Sequence, residues 1–393
     1  MKQRFDYYMP TEIIFGPGRL KELAQLELPG KKALIVIGSG GSMKRHGYLD
    51  RVIEYLEDNG VEYVVYDKIL PNPITEHVME GAKAARENNC DFVVGLGGGS
   101  SIDSAKSIAL MAKNPGDYWD YVVGGSGKGK PVEKGALPIV AITTTAGTGT
   151  EADPWTVITK SDTNEKIGFG SKYTFPTLSI VDPELMLTVP PKYTAYQGMD
   201  AFFHAAEGYL ALAHQPASDC HALEAVKLIT QYLPVAVREG ENLQARCAVA
   251  WANTAAGIVE SLSSCISLHS MEHALSAFHP ELPHGAGLIA LSIPYFTYIS
   301  SKTAERFSDL ARAMGQDCSG LSDEEGAEKF IDALKTLIKD IGMEDLKLSD
   351  YGVKKEEAAE LARNAMDTMD GLFHQDPYKL SFEEVVHIYE NCF

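Results

Sequence analysis

Long apolar runs are missing from this 393-residue chain. No stretch approaches the roughly 18 to 20 residues that would span a bilayer, and the opening Met1-Lys2-Gln3-Arg4-Phe5-Asp6 lacks the apolar core of a signal peptide. A cytoplasmic protein with no membrane partner is therefore expected. Paired cysteines are also missing: Cys90, Cys220, Cys247, Cys265, Cys318 and Cys392 are scattered without a Cys-x-x-Cys pair, which fits a reducing compartment better than a disulfide framework. Positive charge is scarce. With 35 basic against 54 acidic residues, the net charge of -19 would repel nucleic acid and anionic lipid, so no nucleic-acid partner is expected. Any anionic ligand must be held locally, by backbone amides or a few cations. What the chain has in quantity is apolar material, 45% of its residues, enough at this length for an ample core and two domains.

The two halves differ in periodicity. Ala33 to Ile37, Val61 to Tyr66, Phe92 to Leu96, Pro138 to Ile142 and Leu178 to Val181 read as buried strands. Helical patterns at Gly47 to Asn59 and Glu76 to Asn89 separate the first three. Strand starts about 30 residues apart suit right-handed βαβ units, so residues 1–187 are expected to form a doubly wound α/β domain with a parallel sheet. After Pro190-Pro191 the chain is rich in Ala, Leu, Glu and Met at helical spacing, and residues 188–393 are expected to be all-helical, packed closely enough to leave a cleft. Thr194-Ala195-Tyr196-Gln197 matches a capping box and predicts a helix start there.

Gly97-Gly98-Gly99-Ser100-Ser101-Ile102-Asp103 follows the third strand and opens a helix. Glycines let a ligand approach the backbone, and the amides and dipole of the helix N-terminus attract phosphate. The bland reading is a tight connection. The usual dinucleotide fingerprint is absent, since neither Gly38-Ser39-Gly40-Gly41 nor Gly97-Gly98-Gly99 completes G-x-G-x-x-G at the first strand. A second segment, Thr143-Thr144-Thr145-Ala146-Gly147-Thr148-Gly149-Thr150-Glu151, follows the strand ending at Ile142. It lies at the carboxyl edge, where open sheets bind ligands.

Histidine is concentrated in the second half. Asp200 and His204 stand at i and i+4 on one predicted helix face, and His269 and His273 repeat the spacing, with His279 and His284 following. Four of eleven histidines thus fall between residues 269 and 284, a density that a scattered set of surface pairs does not explain. A carboxylate with three imidazoles suits Fe²⁺ or Zn²⁺.

With these motifs in order, the chain resembles the iron-containing (group III) alcohol dehydrogenase family over essentially its full length, and within it the NADPH-dependent butanol- and aldehyde-reducing members. The resemblance rests on Gly97 to Lys106, Thr144 to Glu151, Val181-Asp182-Pro183-Glu184-Leu185, Gly198-Met199-Asp200 with His204, and the histidine-rich stretch ending Pro283-His284-Gly285. It implies the two-domain architecture shared with dehydroquinate synthase and a homodimer. It also implies metal ligands at Asp200, His204, His269 and His284, with His273 a non-ligand histidine lining the site. The interval from His269 to His284 is one residue longer than the family pattern, so both His273 and His279 stand as candidates for passing a proton to solvent.

The expected cofactor set is Fe²⁺, with Zn²⁺ an alternative, and a nicotinamide dinucleotide. Gly38, Ser39, Gly40, Gly41, Ser42, Gly97, Gly98, Gly99, Ser100, Asp103, Thr144, Thr145, Thr148 and Lys166 are the expected binding residues. NAD-preferring members often close the first strand with Asp. This chain has Gly38 there, and Ser42, Lys44 and Arg45 nearby, so NADP(H) is expected to be preferred over NAD(H). The expected reaction moves a hydride between the cofactor and a small alcohol or aldehyde; Trp155, Phe203 and Phe373 are candidate pocket walls. Rival readings are a glycerol dehydrogenase-like polyol oxidation, a dehydroquinate synthase-like lyase, and a catalytically idle binding protein.

Overall fold

The computed structural model describes residues 4–393; residues 1–3, part of the segment read for a signal sequence, lie outside them. The chain forms two compact units, one of Met9–Thr188 and one of Val189–Phe393 with the described residues 4–8. Among the described residues no helix is long and apolar enough to cross a membrane.

In the first unit the strands are β1 (Glu12–Phe15), β2 (Lys32–Gly38), β3 (Glu62–Ile69), β4 (Phe92–Gly97), β5 (Ile139–Thr143), β6 (Trp155–Lys160), β7 (Glu165–Gly170) and β8 (Leu178–Val181). Six of them make one sheet in the order β1-β8-β5-β4-β2-β3, every pair parallel. The Val- and Ile-rich runs of β2, β4, β5 and β8 are buried on both faces, as strands covered by helices must be, while the edge strands β1 and β3 are only partly buried. The helices are α1 (Ser42–Arg45), α2 (Tyr48–Asp58), α3 (Thr75–Glu87) and α4 (Gly99–Lys113). The five strands and two helices expected from periodicity are all present. Two features escaped it: β1 is only four residues long, and β6–β7 is a separate antiparallel hairpin.

Strand order reverses at β2, which has β3 on one side and β4 on the other. The chain therefore leaves β2 at Gly38 and β4 at Gly97 in opposite lateral directions, opening a crevice at the carboxyl edge. β5 lies beside β4 with Gly97 opposite Thr143. All three polar, Gly-rich or Thr-rich segments thus leave neighbouring strand ends.

Beneath them sits a fully buried lysine. Lys106 on α4 points its ammonium at Asp153 Oδ1 (3.0 Å), Thr150 Oγ1 (2.6 Å) and the carbonyls of Asp153 (2.9 Å) and Trp155 (2.7 Å). It ties the segment after β5 to α4.

In the second unit every described element is helical. Its longer helices are α5 (Pro191–Leu210), α6 (Pro216–Arg238), α7 (Leu243–Leu262), α8 (Ser267–Phe278) and α9 (His284–Lys302). The capping box expected at Thr194 is not the start of α5: Pro190 caps it and Pro191 occupies its first position. Proline has no N–H to leave unpaired there and its fixed φ suits the first turn. The Thr194 hydroxyl instead accepts from Arg246 Nη1 (2.8 Å) and donates to the Val189 carbonyl (3.3 Å).

Breaking a buried ion pair strands the remaining charge. Lys106→Met should therefore lower unfolding free energy by about 3–5 kcal/mol in urea titrations; a loss below about 1 kcal/mol would contradict the bracing role of this lysine.

Candidate active site

Asp200 and His204 lie one turn apart on α5, His269 is the third residue of α8, and His284 is the first of α9. Asp200 Oδ1 lies 3.4 Å from His284 Nε2, 3.5 Å from His269 Nε2 and 3.7 Å from His204 Nε2. The His204 and His269 rings stack with centroids 4.3 Å apart. Local packing explains how α9 comes this close. A Cβ on Gly285 would sit 2.2 Å from the Tyr196 carbonyl oxygen, so only glycine after His284 lets the first turn of α9 rest on the α5 backbone.

The donor atoms fit a cation. Four ligands around a tetrahedral ion at about 2.0–2.2 Å stand about 3.3–3.6 Å from one another, close to the three separations from Asp200 Oδ1. Asp200 Oδ1 and His269 Nε2 are buried without a hydrogen-bond partner, a costly state that a bound cation relieves. Burial alone would raise the Asp200 carboxyl, yet the charges of His204 and His284, with the His269 and His284 rings close by, hold it well below the usual range. Burial alone would lower the His269 imidazole, but the Glu207 carboxylate at its Nδ1 and the nearby Asp200 drive it well above its ordinary value. Both shifts report a cluster that attracts positive charge.

Each imidazole turns its other nitrogen to a buried glutamate. His269 Nδ1 meets Glu207 Oε1 at 2.6 Å, His204 Nδ1 meets Glu260 Oε1 at 3.4 Å, and His284 Nδ1 bonds to Glu272 Oε2. The bonds of His269 and His284 turn their Nε2 atoms toward Asp200, and His204 lies against Glu260 at the longer distance. These glutamates were missed on the sequence. Glu207 and Glu272 follow His204 and His269 by three residues, a visible spacing, but each serves a histidine on a different helix, which no local pattern reports.

Three groups of mutually close donors are found here: Asp200 with His269 and His284, His204 with Cys265 and His269, and Glu272 with His273 and His284. Burial pushes the Cys265 thiol far up, so it stays protonated and is a poor ligand. Glu272 is already taken up by His284. Asp200 with His269 and His284 is the group whose donors suit a cation, and His204 adjoins it at Asp200 and His269.

His273 and His279 separate in the structure. His273, one turn beyond His269, is buried with its ring 5.3 Å from that of His284 and its Nδ1 2.9 Å from Met369 Sδ. His279 follows the last residue of α8 and pairs through Nε2 with Glu357 Oε2 at 2.9 Å; it belongs to none of the converging donor groups among the described residues. Its expected catalytic role is corrected accordingly: the helix stops at Phe278, and the ring turns to a surface carboxylate. Of the three candidate walls, Phe203 packs against Phe202 and Phe296 inside the helical core, Phe373 is buried, and Trp155 is partly exposed.

In the first unit the Gly and Thr segments interlock. Thr144 N donates to the Gly97 carbonyl at 2.9 Å. A Cβ on Gly98 would lie 3.0 Å from Thr145, and one on Gly99 would lie 2.4 Å from Thr148 Cγ2. Glycine is thus required for the two segments to meet at the N-terminus of α4. Ser100 Oγ is bonded to the Pro71 carbonyl. Ser39 N donates to the Ile69 carbonyl (2.8 Å), Gly41 adopts a left-handed conformation before α1, and Ser42 begins that helix. Lys166, on β7 opposite Thr159, is buried and not a solvated surface lysine.

Asp103 needs a correction. Expected at the cofactor, it instead accepts from Thr150 Oγ1 (2.7 Å) and Val157 N (2.9 Å). Four residues into α4, it faces the Lys106 network, and burial pushes its carboxyl up to about 6. It braces the cradle from below.

Family models agree with both units. One described as iron-containing alcohol dehydrogenase matches residues 10–183, and one described as Fe-containing alcohol dehydrogenase family, C-terminal, matches residues 194–393. The chain belongs to the iron-containing alcohol dehydrogenase family. It is similar to 1,3-propanediol dehydrogenase of Klebsiella pneumoniae, with 36% identity covering 99% of each chain. It is also 35% identical to NAD-dependent methanol dehydrogenase of Bacillus methanolicus, covering 98% of this chain and 99% of that one. Among solved structures, an alcohol dehydrogenase from an archaeal halo-thermophile of a Red Sea brine pool superposes with a TM-score of 0.95 at 37% identity, covering 100% of both chains. This iron-containing alcohol dehydrogenase family member is an oxidoreductase acting on the CH–OH group with a nicotinamide cofactor. The parallel-sheet unit and the helical unit are those of the family's solved structures.

Proposed function

We propose that the protein interconverts a small alcohol and its aldehyde using one divalent cation held by Asp200, His204, His269 and His284, with NADP(H) preferred over NAD(H). The observation that carries this reading is the approach of three Nε2 atoms to one buried carboxylate oxygen within 3.4–3.7 Å. Family membership favours iron; the same nitrogen and oxygen donors accept zinc. When bound, the cation supplies Lewis acidity, which lowers the pKa of an alcohol and polarises an aldehyde carbonyl.

The chain's own residues do the rest. His273, beside His284 but outside the ligand set, accepts the proton given up by the alcohol and passes it outward, a task suited to an imidazole near neutral pH. The Gly97–Gly99 amides and the α4 N-terminus take the pyrophosphate. Thr144, Thr145 and Thr148 offer hydroxyls to ribose and phosphate, and Lys166 offers an ammonium. Binding energy spent on positioning brings the nicotinamide and the substrate carbon together for hydride transfer.

The NADP(H) preference is read from the end of β2. Gly38 provides no carboxylate to bind ribose hydroxyls or repel a 2′-phosphate, and Lys44 and Arg45 follow on α1 and stand 2.5 Å from Asp67 Oδ2 and the Gly40 carbonyl. A 2′-phosphate would draw both cations from these partners. The six free cysteines support a cytoplasmic setting, and the family resemblance supports a homodimer.

Three outcomes follow from this reading. Anaerobic chelation, or His284→Ala, should remove bound metal and turnover together, with activity returning to the chelated wild type on adding Fe²⁺ or Zn²⁺; full turnover by a metal-free preparation would refute the cation. His273→Asn should retain metal while kcat drops about 10²–10³-fold, and His279→Asn should stay near wild type; a reversed pattern would assign the relay to His279. Gly38→Asp should shift the NADPH-to-NADH ratio of kcat/KM by about tenfold or more toward NADH. Its Cβ meets only Ile69 O at 3.7 Å and Ser101 Oγ at 3.9 Å, so an unchanged ratio could not be blamed on misfolding.

A further inference from the structure

Four helices hold the ligand histidines by a crossed arrangement. Glu260 on α7 faces His204 on α5, Glu207 on α5 faces His269 on α8, and Glu272 on α8 faces His284 on α9. Each of these histidines is thus supported from a helix other than its own. Glu207 and Glu272 are fully buried and Glu260 nearly so. Two of the remaining oxygens are anchored: Glu207 Oε2 accepts from Ile266 N at 2.9 Å, just ahead of α8, and Glu272 Oε1 accepts from Ser276 Oγ. Glu272 also fills the space beside Gly287, where a Cβ would lie 2.8 Å from Oε1.

We propose that Glu207, Glu260 and Glu272 are positioning residues that set how tightly the cation is held, Glu207 and Glu272 by fixing Nε2 as the donor of their imidazoles and all three by placing negative charge behind the rings. The proposal rests on the metal reading of Asp200, His204, His269 and His284. Hydrogen bonding alone would satisfy the Nδ1–H groups, and any neutral acceptor would serve for that. Three carboxylates at all three imidazoles, in addition to Asp200, do more: a charged acceptor makes the imidazole a stronger base toward the ion, and a dication offsets negative charge that is otherwise costly to bury.

Glutamine separates the two roles, because it keeps the volume and an acceptor oxygen and removes only the charge. Glu272→Gln and Glu207→Gln should each weaken Zn²⁺ binding about 10–100-fold, measured by competition with a chromophoric chelator. The visible absorption of the Co²⁺-substituted protein should shift as well. Thermal unfolding of the metal-free variants shows whether they fold. Should either fail to, Glu260→Gln, at the longest contact, supplies the same comparison with a smaller expected loss. Unchanged Zn²⁺ affinity and Co²⁺ spectrum in folded variants would overturn the proposal, leaving the metal site itself intact. A wild-type protein that binds neither ion would instead overturn the metal reading beneath it.

Discussion

A carboxylate stripped of water costs several kcal/mol unless opposite charge or good donors replace the solvent, and the helical unit buries four of them, Asp200, Glu207, Glu260 and Glu272, around one point. Much of its architecture follows from that constraint. Glu207 and Glu272 are answered by imidazole Nδ1 groups and Glu260 lies 3.4 Å from a third, so a carboxylate stands behind each ring. Their Nε2 atoms then crowd Asp200, whose carboxylate is kept ionised by the charge around it. What remains is a buried set of donors, two of them unpartnered, that a divalent cation completes.

The first unit meets the same difficulty differently. Asp103 and Asp153 are buried beneath the Gly and Thr segments, and there the compensating cation is the chain's own Lys106, with Thr150 bridging Lys106 to Asp103. A covalently attached ammonium needs no supply and cannot exchange, which suits a brace. In the helical unit an exchangeable ion with open coordination suits chemistry. On the proposed reading, the two halves divide the labour of a dehydrogenase between a braced cradle for an anionic coenzyme and a metal centre for the substrate oxygen.

The parts of this arrangement legible in the sequence are those with local signatures. Buried strands announced themselves as Val- and Ile-rich runs, the turn into α4 as Gly97 to Gly99 between strand and helix, and the cluster of Asp200, His204, His269 and His284 as residues within short motifs that resemble those of the family. The parts that were not legible depend on tertiary approach. Glu207 lies three residues after His204 yet serves His269, because the fold brings α8 against α5 at that point. Asp103 sits inside the motif of a phosphate loop but faces inward, since its place on α4 is set by helical phase. Thr194 carries the right capping residues and is overridden by Pro191, whose backbone begins the helix earlier. His279 shares a cluster with His273 in sequence and loses it in space, because α8 ends one residue before it. Gly285 looked like part of a family motif; its physical reason, the Tyr196 carbonyl against α9, is a packing fact.

The most direct measurement is X-ray absorption at the metal edge of the zinc-loaded protein. The account predicts a shell of nitrogen and oxygen at about 2.0–2.2 Å with the outer scattering of three imidazoles. A sulfur at about 2.3 Å, or fewer than three imidazoles, would mean that Cys265 or another group replaces part of the set formed by Asp200 and its three histidines, and would contradict the account.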